Sequence, residues 1–343
     1  MDSKERVIAA INNQKVDKPC SNFRAEPTAL EKIFRHIGNR DIDKLQDDLD
    51  TDIRHIDAIT PPDRKMEGFT QNFWGERFIY NDTPYGPERE NISGAAADMK
   101  SMDEISNFDW VKNDDFDYSD ILMLCKKHEN RAIMYGSGDI WQRAVMIRGM
   151  QNFFLDMYES PEICHYLSNK LCEFYIEDYR RAFEASGESI DIFLIYSDLG
   201  SQRSPLISGD MLETFVLPYL KRVANAVHDM GAYLFFHTCG MVTPFIPKLI
   251  ESGVDILDPI QPVVDSMQPE ALAEEFKSEL CFHGGIDIQQ VLLTGTVDDV
   301  KIEVKRYIDA FNDKCGYICA PSHFIQKDIS VENIFAMYEA IKG

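Results

Sequence analysis

Residues 232–240, AYLFFHTCG, give the first indication of the fold of this 343-residue chain. An apolar run rich in aromatic residues leads into a histidine, a threonine and a cysteine and stops at a glycine. The run is apolar at odd and even positions alike, which is typical of a parallel strand that is buried on both faces. Amphipathic patterns flank it, one at about 208–230 that Gly231 ends, and one that Gly253 ends. The pattern predicts a strand between two helices.

The same alternation of strand and helix extends over the chain. Further helical patterns cover about 160–186, 296–315 and 330–341. Short apolar runs predict eight strands, at 19–26, 51–58, 132–138, 191–198, 232–239, 254–260, 280–286 and 316–322. Eight strands joined by crossover helices favour an α/β fold, the (β/α)8 TIM barrel, with a doubly wound open sheet as the alternative.

Residues 61–118 break this alternation. The stretch is rich in aromatic residues, glycine, proline and aspartate, as in FTQNFWGERFIYNDTPYGPE at 69–88. We expect it to form an inserted lid segment over one mouth of the barrel. No linker, repeat or low-complexity tract divides the sequence, so a single domain over 1–343 is expected.

Composition excludes several classes of function. The chain has 58 acidic and 35 basic residues, a formal net charge of −23, which disfavours binding to nucleic acid phosphates and anionic lipid. No apolar run reaches the roughly 18 residues that a membrane span needs, and no secretory signal pattern is visible. The eight cysteines are scattered without a CxxC pair, which fits a reducing compartment. We therefore expect a cytoplasmic protein with no nucleic acid and no membrane partner.

The ends of the predicted strands carry the residues with chemical capability, as expected for a (β/α)8 barrel. His237 and Cys239 lie two residues apart at the end of the fifth strand and therefore project to the same side. Imidazole and thiolate together are typical ligands of Zn²⁺. The last strand offers His323 at its end and Cys319 further down. Two interpretations stay open, a metal site or a buried histidine beside a core cysteine.

Other strand ends supply charged and hydrogen-bonding groups. Arg24 and Glu26 follow the first strand, and Asp198 and Gln202 follow the fourth. A carboxylate at a barrel mouth pairs with a cation, coordinates a metal or stays hydrated, because burying an unpaired charge is costly. Glu26 is thus either a metal ligand or the salt-bridge partner of Arg24 or of a surface lysine, and Asp198 either takes part in the chemistry or caps its loop.

Several stretches resemble the uroporphyrinogen decarboxylase superfamily, specifically its methyltransferase branch. They are FHTCGMVTPFIPKLIESGVDILDPIQP at 236–262, CFHGGIDIQ at 281–289 and GYICAPSHFIQKDISVENIFAMYEAI at 316–341. ERVIAAINNQKVDKP at 5–19 and SDLGSQRSPLIS at 197–208 also match the general pattern. The resemblance covers nearly the whole chain and implies the same barrel. The methyltransferase branch contains zinc enzymes that move methyl groups between corrinoid proteins and thiols or methylated substrates.

The two branches of this superfamily differ after the first strand. The decarboxylases resemble one another in an Arg-Gln-Ala-Gly-Arg stretch that holds substrate carboxylates, whereas this chain has FRAEP at 23–27. One arginine beside a glutamate, in a chain of net charge −23, is poorly suited to a tetrapyrrole with eight carboxylates. This difference favours the methyltransferase branch.

The methyltransferases show a His-X-Cys pair and a distant third ligand, usually cysteine, near the last strand. His237 and Cys239 match the pair, and the third position falls at His323, with Cys319 as the alternative. The resemblance therefore implies a zinc site made of His237, Cys239 and His323, in which Glu26 or a substrate atom is the fourth ligand.

The function implied by the resemblance is a zinc-dependent exchange of a methyl group. The two partners are a corrinoid (cobalamin) carried by a partner protein and a small molecule, either a thiol or a methylated substrate. A metal-free decarboxylase and a non-catalytic corrinoid or tetrapyrrole binding protein are the alternatives. The direction of transfer and the oligomeric state, including a homodimer, stay open. The candidate catalytic residues are Glu26 and Asp198, and the candidate substrate-binding residues are Arg24, Tyr196, Gln202 and Trp141.

Overall fold

The structure, a computed structural model, describes residues 1–83, 86–262, 264–312 and 316–343. Its main sheet consists of eight parallel strands, each of which overlaps one predicted strand. They are β1 Cys20–Ser21, β2 Ile53–Ile56, β3 Ala132–Asp139, β4 Ile192–Tyr196, β5 Tyr233–His237, β6 Ile256–Asp258, β7 Cys281–His283 and β8 Gly316–Cys319.

The strand order closes these strands into a barrel. Consecutive strands are neighbours from β2 to β8, and β8 pairs with β1. The gap between β1 and β2 is bridged by the Asp52 amide, which donates to the Ser21 carbonyl oxygen at 2.9 Å. All the pairings in this sheet are parallel, so the strands end at a common mouth. The predicted (β/α)8 barrel is confirmed.

Helices surround the sheet. They are α1 Ser3–Ile11, α2 Pro27–Ile37, α3 Ile42–Asp48, α4 Met102–Ser106, α5 Ile121–Lys127, α6 Trp141–Arg148, α7 Met150–Glu159, α8 Pro161–Ala185, α9 Gly209–Phe215, α10 Leu217–Asp229, α11 Ile246–Glu251, α12 Pro269–Glu275, α13 Val291–Thr294, α14 Val297–Phe311 and α15 Val331–Lys342. Within the described ranges, none of these helices combines the length and apolar character needed to cross a membrane.

Two of the predicted helices have different bounds in the structure. The helix predicted at 208–230 is divided into α9 and α10 at Val216, because Pro218 follows there and cannot donate a backbone hydrogen bond. The segment after Val242 begins as the 3₁₀ turn Thr243–Phe245 and continues as α11. The end predicted for the fourth helix, near Cys315, lies outside the described residues.

Side chains of successive strand residues alternate between two cores. Leu194, Phe235 and Ile318 belong to a cluster that fills the barrel interior. Ile195 and Phe236, their neighbours in sequence, belong to the layer between the sheet and the helices. Because the period of a strand is two, His237 follows Phe235 on the interior side and stands at the mouth.

The segment predicted as an insertion contains a second sheet. Its four antiparallel strands are Arg64–Lys65, Thr70–Gln71, Arg77–Thr83 and Gly86–Ser93. The buried Glu76 carboxylate joins this segment to the barrel, since Arg143 Nη1 donates to both of its oxygens at 2.8 Å. Arg143 belongs to α6, which follows β3, so the insertion is tied to the end of that strand.

A bulge interrupts β3 at the side facing this insertion. Its register against β4 shifts between Tyr135 and Gly138, and Gly136 has a φ of +95°. A Cβ atom at Gly138 would lie 2.2 Å from Tyr179 Oη, which donates to the Leu194 carbonyl oxygen at 2.5 Å. Glycine at this position therefore lets a tyrosine of α8 reach the backbone of β4.

Candidate functional site

Three potential metal-ligating side chains meet at the ends of β4 and β5. His237 Nε2 lies 3.4 Å from Cys239 Sγ and 3.7 Å from Asp198 Oδ1. The same carboxylate oxygen accepts the Cys239 backbone N–H at 2.9 Å. The ligand atoms of all three residues lie within 4.8 Å of one another. We call these residues the His237 cluster. The period-two argument thus placed His237 and Cys239 together, and Asp198 joins them from the neighbouring strand.

Asp258, at the end of β6, holds the imidazole of His237 from behind. Its Oδ2 accepts His237 Nδ1 at 2.5 Å and Arg24 Nη1 at 2.8 Å, and its Oδ1 accepts His283 Nδ1 at 2.5 Å. Burial by itself would raise the pKa of Asp258, but the charge of Arg24 and the contacts from the His283 and His237 imidazoles hold that pKa well below its ordinary value. An ionised carboxylate only accepts hydrogen bonds, so Nδ1 carries the proton and Nε2 of His237 is free to bind a ligand.

Arg24 and Tyr196 complete the wall behind His237. Arg24 Nη2 donates to Tyr196 Oη at 2.8 Å, and the guanidinium lies 4.3 Å from the ring centroid of Phe324. The Tyr196 ring lies 4.7 Å from the His237 ring. Arg24 Nε is buried and has no hydrogen-bond partner in the described part of the chain. Arg24 and Tyr196, two of the four residues predicted to bind substrate, therefore stand at the mouth. There Arg24 holds Asp258 and Tyr196, and both partners contact the imidazole of His237.

The chemistry of the cluster fits a divalent zinc ion. Burial raises the pKa of the Cys239 thiol, and the negative charges of Asp198 and Asp258 raise it further. A thiolate at this position therefore requires a nearby cation. Sulfur, an imidazole nitrogen with a carboxylate behind it, and a carboxylate oxygen are donors that Zn²⁺ accepts.

The two candidates for a third ligand from the last strand lie in different places. The ring of His323 is 6.3 Å from that of His237, centroid to centroid. Burial lowers the pKa of His323, and the charges of His237 and Arg24 act in the same direction, so the neutral ring that binds metals is favoured. Cys319 instead packs in the layer between sheet and helices, because its neighbour Ile318 takes the interior side. The alternative ligand Cys319 therefore does not face the mouth.

Glu26 stands half-buried at the start of α2, outside the His237 cluster. Its backbone N–H donates to the Ile325 carbonyl oxygen at 3.0 Å, which places it beside the segment that carries His323. The salt bridge considered between Glu26 and Arg24 is not formed, because Asp258 takes the Arg24 guanidinium.

The two remaining predicted residues differ in position. Gln202 is exposed on the loop after β4, where its Nε2 lies 3.4 Å from Gln289 Oε1 of the loop after β7, so the two loops meet at the mouth. Trp141 is buried between helices, with its ring edge-on to Phe153 at 5.3 Å and to Phe154 at 6.2 Å. The prediction that Trp141 binds substrate at the mouth is therefore not supported, because its ring packs α6 against α7.

Asp258 and Asn22 are residues of this site that sequence reasoning missed. Asn22 Nδ2 lies 3.1 Å from His283 Nε2, so it fixes the second imidazole on Asp258. A signal for Asp258 was present, since an acid at the end of the apolar run VDILD occupies the same kind of strand end as His237.

Comparisons with known proteins agree with this architecture. The model of the family Uroporphyrinogen decarboxylase (URO-D) matches residues 81–343. A uroporphyrinogen decarboxylase of Vesicomyosocius okutanii subsp. Calyptogena okutanii is 23% identical over 306 residues, which are 86% of this chain and 79% of that protein. Methylcobamide:CoM methyltransferase MtbA of Methanosarcina mazei is 28% identical over 127 residues, 36% of each protein.

The solved structure of a methyltransferase from Methanosarcina mazei has the same fold. It matches with a TM-score of 0.73 at 16% sequence identity, over 100% of this chain and 98% of that chain. The relatives thus include both decarboxylases and methyltransferases. Because the family model covers most of the sequence, this chain belongs to the uroporphyrinogen decarboxylase (URO-D) family of enzymes.

Proposed function

We propose that this protein is a zinc-dependent methyltransferase that exchanges a methyl group between a corrinoid carried by a partner protein and a thiol or methylated small molecule. The observation that carries the proposal is the His237 cluster, in which a free imidazole nitrogen, a thiol sulfur and a carboxylate oxygen converge at the barrel mouth. The similarity to a methylcobamide:CoM methyltransferase over about a third of the chain supports the same assignment.

His237 and Cys239 are the proposed protein ligands of Zn²⁺. We propose His323 as the third ligand, with Asp198 as the competing one because its Oδ1 already lies 3.7 Å from His237 Nε2. Glu26 remains the proposed alternative to a substrate atom at the fourth position. When bound, zinc supplies Lewis acidity, and it lowers the pKa of a coordinated thiol or polarises a methylated substrate.

The chain's own residues have separable roles in this proposal. Asp258 keeps the proton on His237 Nδ1 and thereby keeps Nε2 available. Arg24 fixes Asp258, and Tyr196 holds Arg24 and packs its ring against the imidazole of His237. Gln202 lies on the rim, where we expect a methylated substrate or thiol to enter. The corrinoid protein is expected to dock over the mouth, since both reacting groups must meet there.

The Arg24 contacts disfavour the decarboxylase alternative. Asp258 and Tyr196 each take one N–H donor of Arg24, and the Arg24 Nε is buried, so this single guanidinium is already largely engaged within the protein. A substrate with many carboxylates needs several free cationic groups. With a net charge of −23, the chain as a whole also repels such a substrate.

Metal analysis of variants tests the zinc site. Protein purified without chelators is expected to hold about one zinc per chain, and His237→Ala or Cys239→Ala to lose most of it while the fold is kept. Cys319→Ala is the matched control and should retain the metal, because that sulfur faces the helices. His323→Ala and Asp198→Asn, measured in parallel, identify the third ligand. Zinc content that is unchanged in both the His237 and Cys239 variants would contradict the assignment.

Activity separates the proposed function from its alternatives. Methyl transfer from methylcobalamin to a small thiol should occur with the wild-type protein and be lost in Cys239→Ala and after zinc removal. Re-addition of zinc should restore it in the wild type alone. Decarboxylation of uroporphyrinogen that survives both chelation and His237→Ala would refute the proposal, and tight corrinoid-protein binding without any turnover would favour a binding protein.

A further inference from the structure

A cavity lies between the insertion and the end of β3, apart from the His237 cluster. Its volume is about 350 Å³, at the low end of the range for small-molecule pockets. It lies beside the β3 bulge, with Gly136 and Ser137 in its wall. None of His237, Cys239 and Asp198 lines it in the described residues. A ligand in this cavity would therefore contact a surface that the proposed metal chemistry does not use.

Six aromatic residues form much of the wall, namely Phe73, Trp74, Phe116, Tyr135, Phe174 and Tyr175. The ring of Trp74 lies 4.9 Å from Phe174 and 5.9 Å from Tyr175, and the ring of Phe116 lies 5.4 Å from both Phe73 and Phe174. All four contacts are tilted or edge-on, so the rings meet at angles around the space instead of stacking in one plane. Aromatic walls of this kind bind quaternary ammonium ions, because each ring face carries negative potential.

A buried carboxylate lies in the same wall. Asp178 is 6% exposed, and its Oδ1 accepts the hydroxyls of Tyr118 at 2.7 Å and Tyr135 at 3.0 Å. No side chain in the described ranges donates to its Oδ2. Burial raises the pKa of Asp178 to about 6, which leaves it ionised at neutral pH. Asp57, on the loop after β2, adds a second carboxylate to the wall.

Arg143 is the cation in the wall, and Glu76 is its counter-charge. Arg143 Nη1 donates to both Glu76 oxygens at 2.8 Å, although the buried Arg143 Nε has no partner in the described part of the structure. Arg89 Nη2 also reaches Glu76 Oε2, at 3.4 Å, but Arg89 is not among the described lining residues of the cavity. Among the lining residues, the carboxylates of Asp178 and Asp57 outnumber the guanidinium of Arg143, which Glu76 pairs, so the cavity carries negative charge.

We propose that this cavity binds a small organic cation of the quaternary or methylated ammonium class, held by the aromatic faces and by the carboxylates of Asp178 and Asp57. The inference is independent of the zinc site and of the direction of methyl transfer. It assigns a ligand class to the space that the insertion encloses against β3.

Calorimetric titration with charged and neutral ligands of the same shape tests the proposal. Tetramethylammonium and choline should bind the wild-type protein saturably, and 3,3-dimethylbutan-1-ol, in which carbon replaces the nitrogen of choline, at least about fivefold more weakly. Asp178→Asn keeps the shape and an acceptor for the two tyrosines but removes the charge, and Phe116→Leu keeps apolar volume but removes a ring face. Each variant should weaken choline binding by about fivefold or more.

Two controls make the result specific to this cavity. Asp114→Asn, whose exposed carboxylate pairs with Arg181 on the outer surface, should leave choline affinity unchanged. His237→Ala should also bind choline like the wild type, so that failure of the zinc site and failure of the cavity assignment are distinguished. Equal affinity for the neutral analogue, no saturable ammonium binding, or preferred binding of acetate through Arg143 would each overturn the proposal.

Discussion

Asp258 shows how one buried side chain determines what its neighbours can do. Three donors, two imidazoles and one guanidinium, converge on a carboxylate that is 1% exposed. Removing one partner of such a network leaves the other groups buried without their counter-charge, which is far more costly than losing an exposed ion pair.

Replacing Asp258 should therefore damage both the stability and the metal site. Asp258→Asn keeps the volume but presents an NH₂ group to donors, so we expect a loss of about 3 to 5 kcal/mol in the free energy of unfolding. Zinc affinity should fall about 10- to 100-fold because His237 loses the group that orients it. Urea denaturation and competitive zinc titration measure the two effects.

Asp255→Asn is the matched control for Asp258→Asn. Asp255 precedes the same strand and also pairs with a histidine, His228, at 2.8 Å, but this pair is partly exposed. Asp255→Asn should lower the free energy of unfolding by about 1 kcal/mol or less and leave zinc affinity unchanged. Similar losses from both substitutions would argue against a special role for Asp258.

At the level of single elements, the bulge in β3 is the clearest departure from regular structure. The strand pattern at 132–138 predicts an uninterrupted strand, yet Gly136 and Gly138 carry the irregularity that admits Tyr179. The pattern of α9 and α10 likewise predicts one helix, and Pro218 divides it. In both cases the apolar periodicity predicts the element, whereas the glycines of β3 and Pro218 determine its detailed geometry.

The bulge should tolerate no side chain at Gly138. An alanine Cβ would overlap Tyr179 Oη at 2.2 Å, and the hydrogen bond of that hydroxyl to the Leu194 carbonyl keeps the ring in place. We expect Gly138→Ala to lower the free energy of unfolding by about 1 to 3 kcal/mol. Adding Tyr179→Phe should recover part of this loss, because the clashing oxygen is then absent.

Gly209→Ala provides the comparison, since no atom lies within 4 Å of the added Cβ at the start of α9. This change should be neutral or stabilising by up to about 1 kcal/mol, because alanine favours the helix. A loss at Gly209 as large as that at Gly138 would show that the steric explanation is wrong. Thermal and urea unfolding of the four proteins gives the comparison.

For the whole molecule, the seam between β1 and β2 decides whether the barrel closes. The Asp52 side chain takes the place of ladder hydrogen bonds there, because its Oδ2 accepts the Ser21 amide at 2.8 Å. Its Oδ1 accepts Arg6 Nη1 at 2.6 Å, which ties α1 across the bottom of the seam. Neighbouring strands elsewhere in the barrel are joined by regular pairing.

Asp52→Ala should consequently weaken the whole barrel. It leaves the Ser21 amide and the buried Nη1 of Arg6 without their acceptor, for which we expect a loss of about 3 to 5 kcal/mol in the free energy of unfolding. Asp17→Ala removes the other carboxylate that Arg6 contacts. Because that carboxylate is 43% exposed, we expect a loss of about 1 kcal/mol or less in the free energy of unfolding. The urea unfolding midpoints of the Asp52→Ala and Asp17→Ala variants measure the two losses, provided that the m-value is unchanged. Equal losses would mean that the seam does not depend on Asp52.

The sequence by itself determined the eight barrel strands, the five helical segments between and after them, and the placement of His237 beside Cys239. These follow from local periodicity, in which side chains two apart on a strand share a face. The resemblance to the URO-D family, read from the sequence, is confirmed. The single domain over 1–343, the lid role of the insertion and the zinc ligands stay predictions.

Only the tertiary structure decided which distant side chains meet. Asp258 reaches His237, His283 and Arg24 because barrel closure brings β1, β5, β6 and β7 to one mouth. The structure also places Cys319 on the outer side of β8 and buries Trp141 between α6 and α7. The walls of the cavity beside the β3 bulge come from segments up to about 120 residues apart, from Asp57 to Asp178. Such contacts depend on strand order and on the facing of each side chain, and periodicity along one segment carries no information about the partner across the barrel.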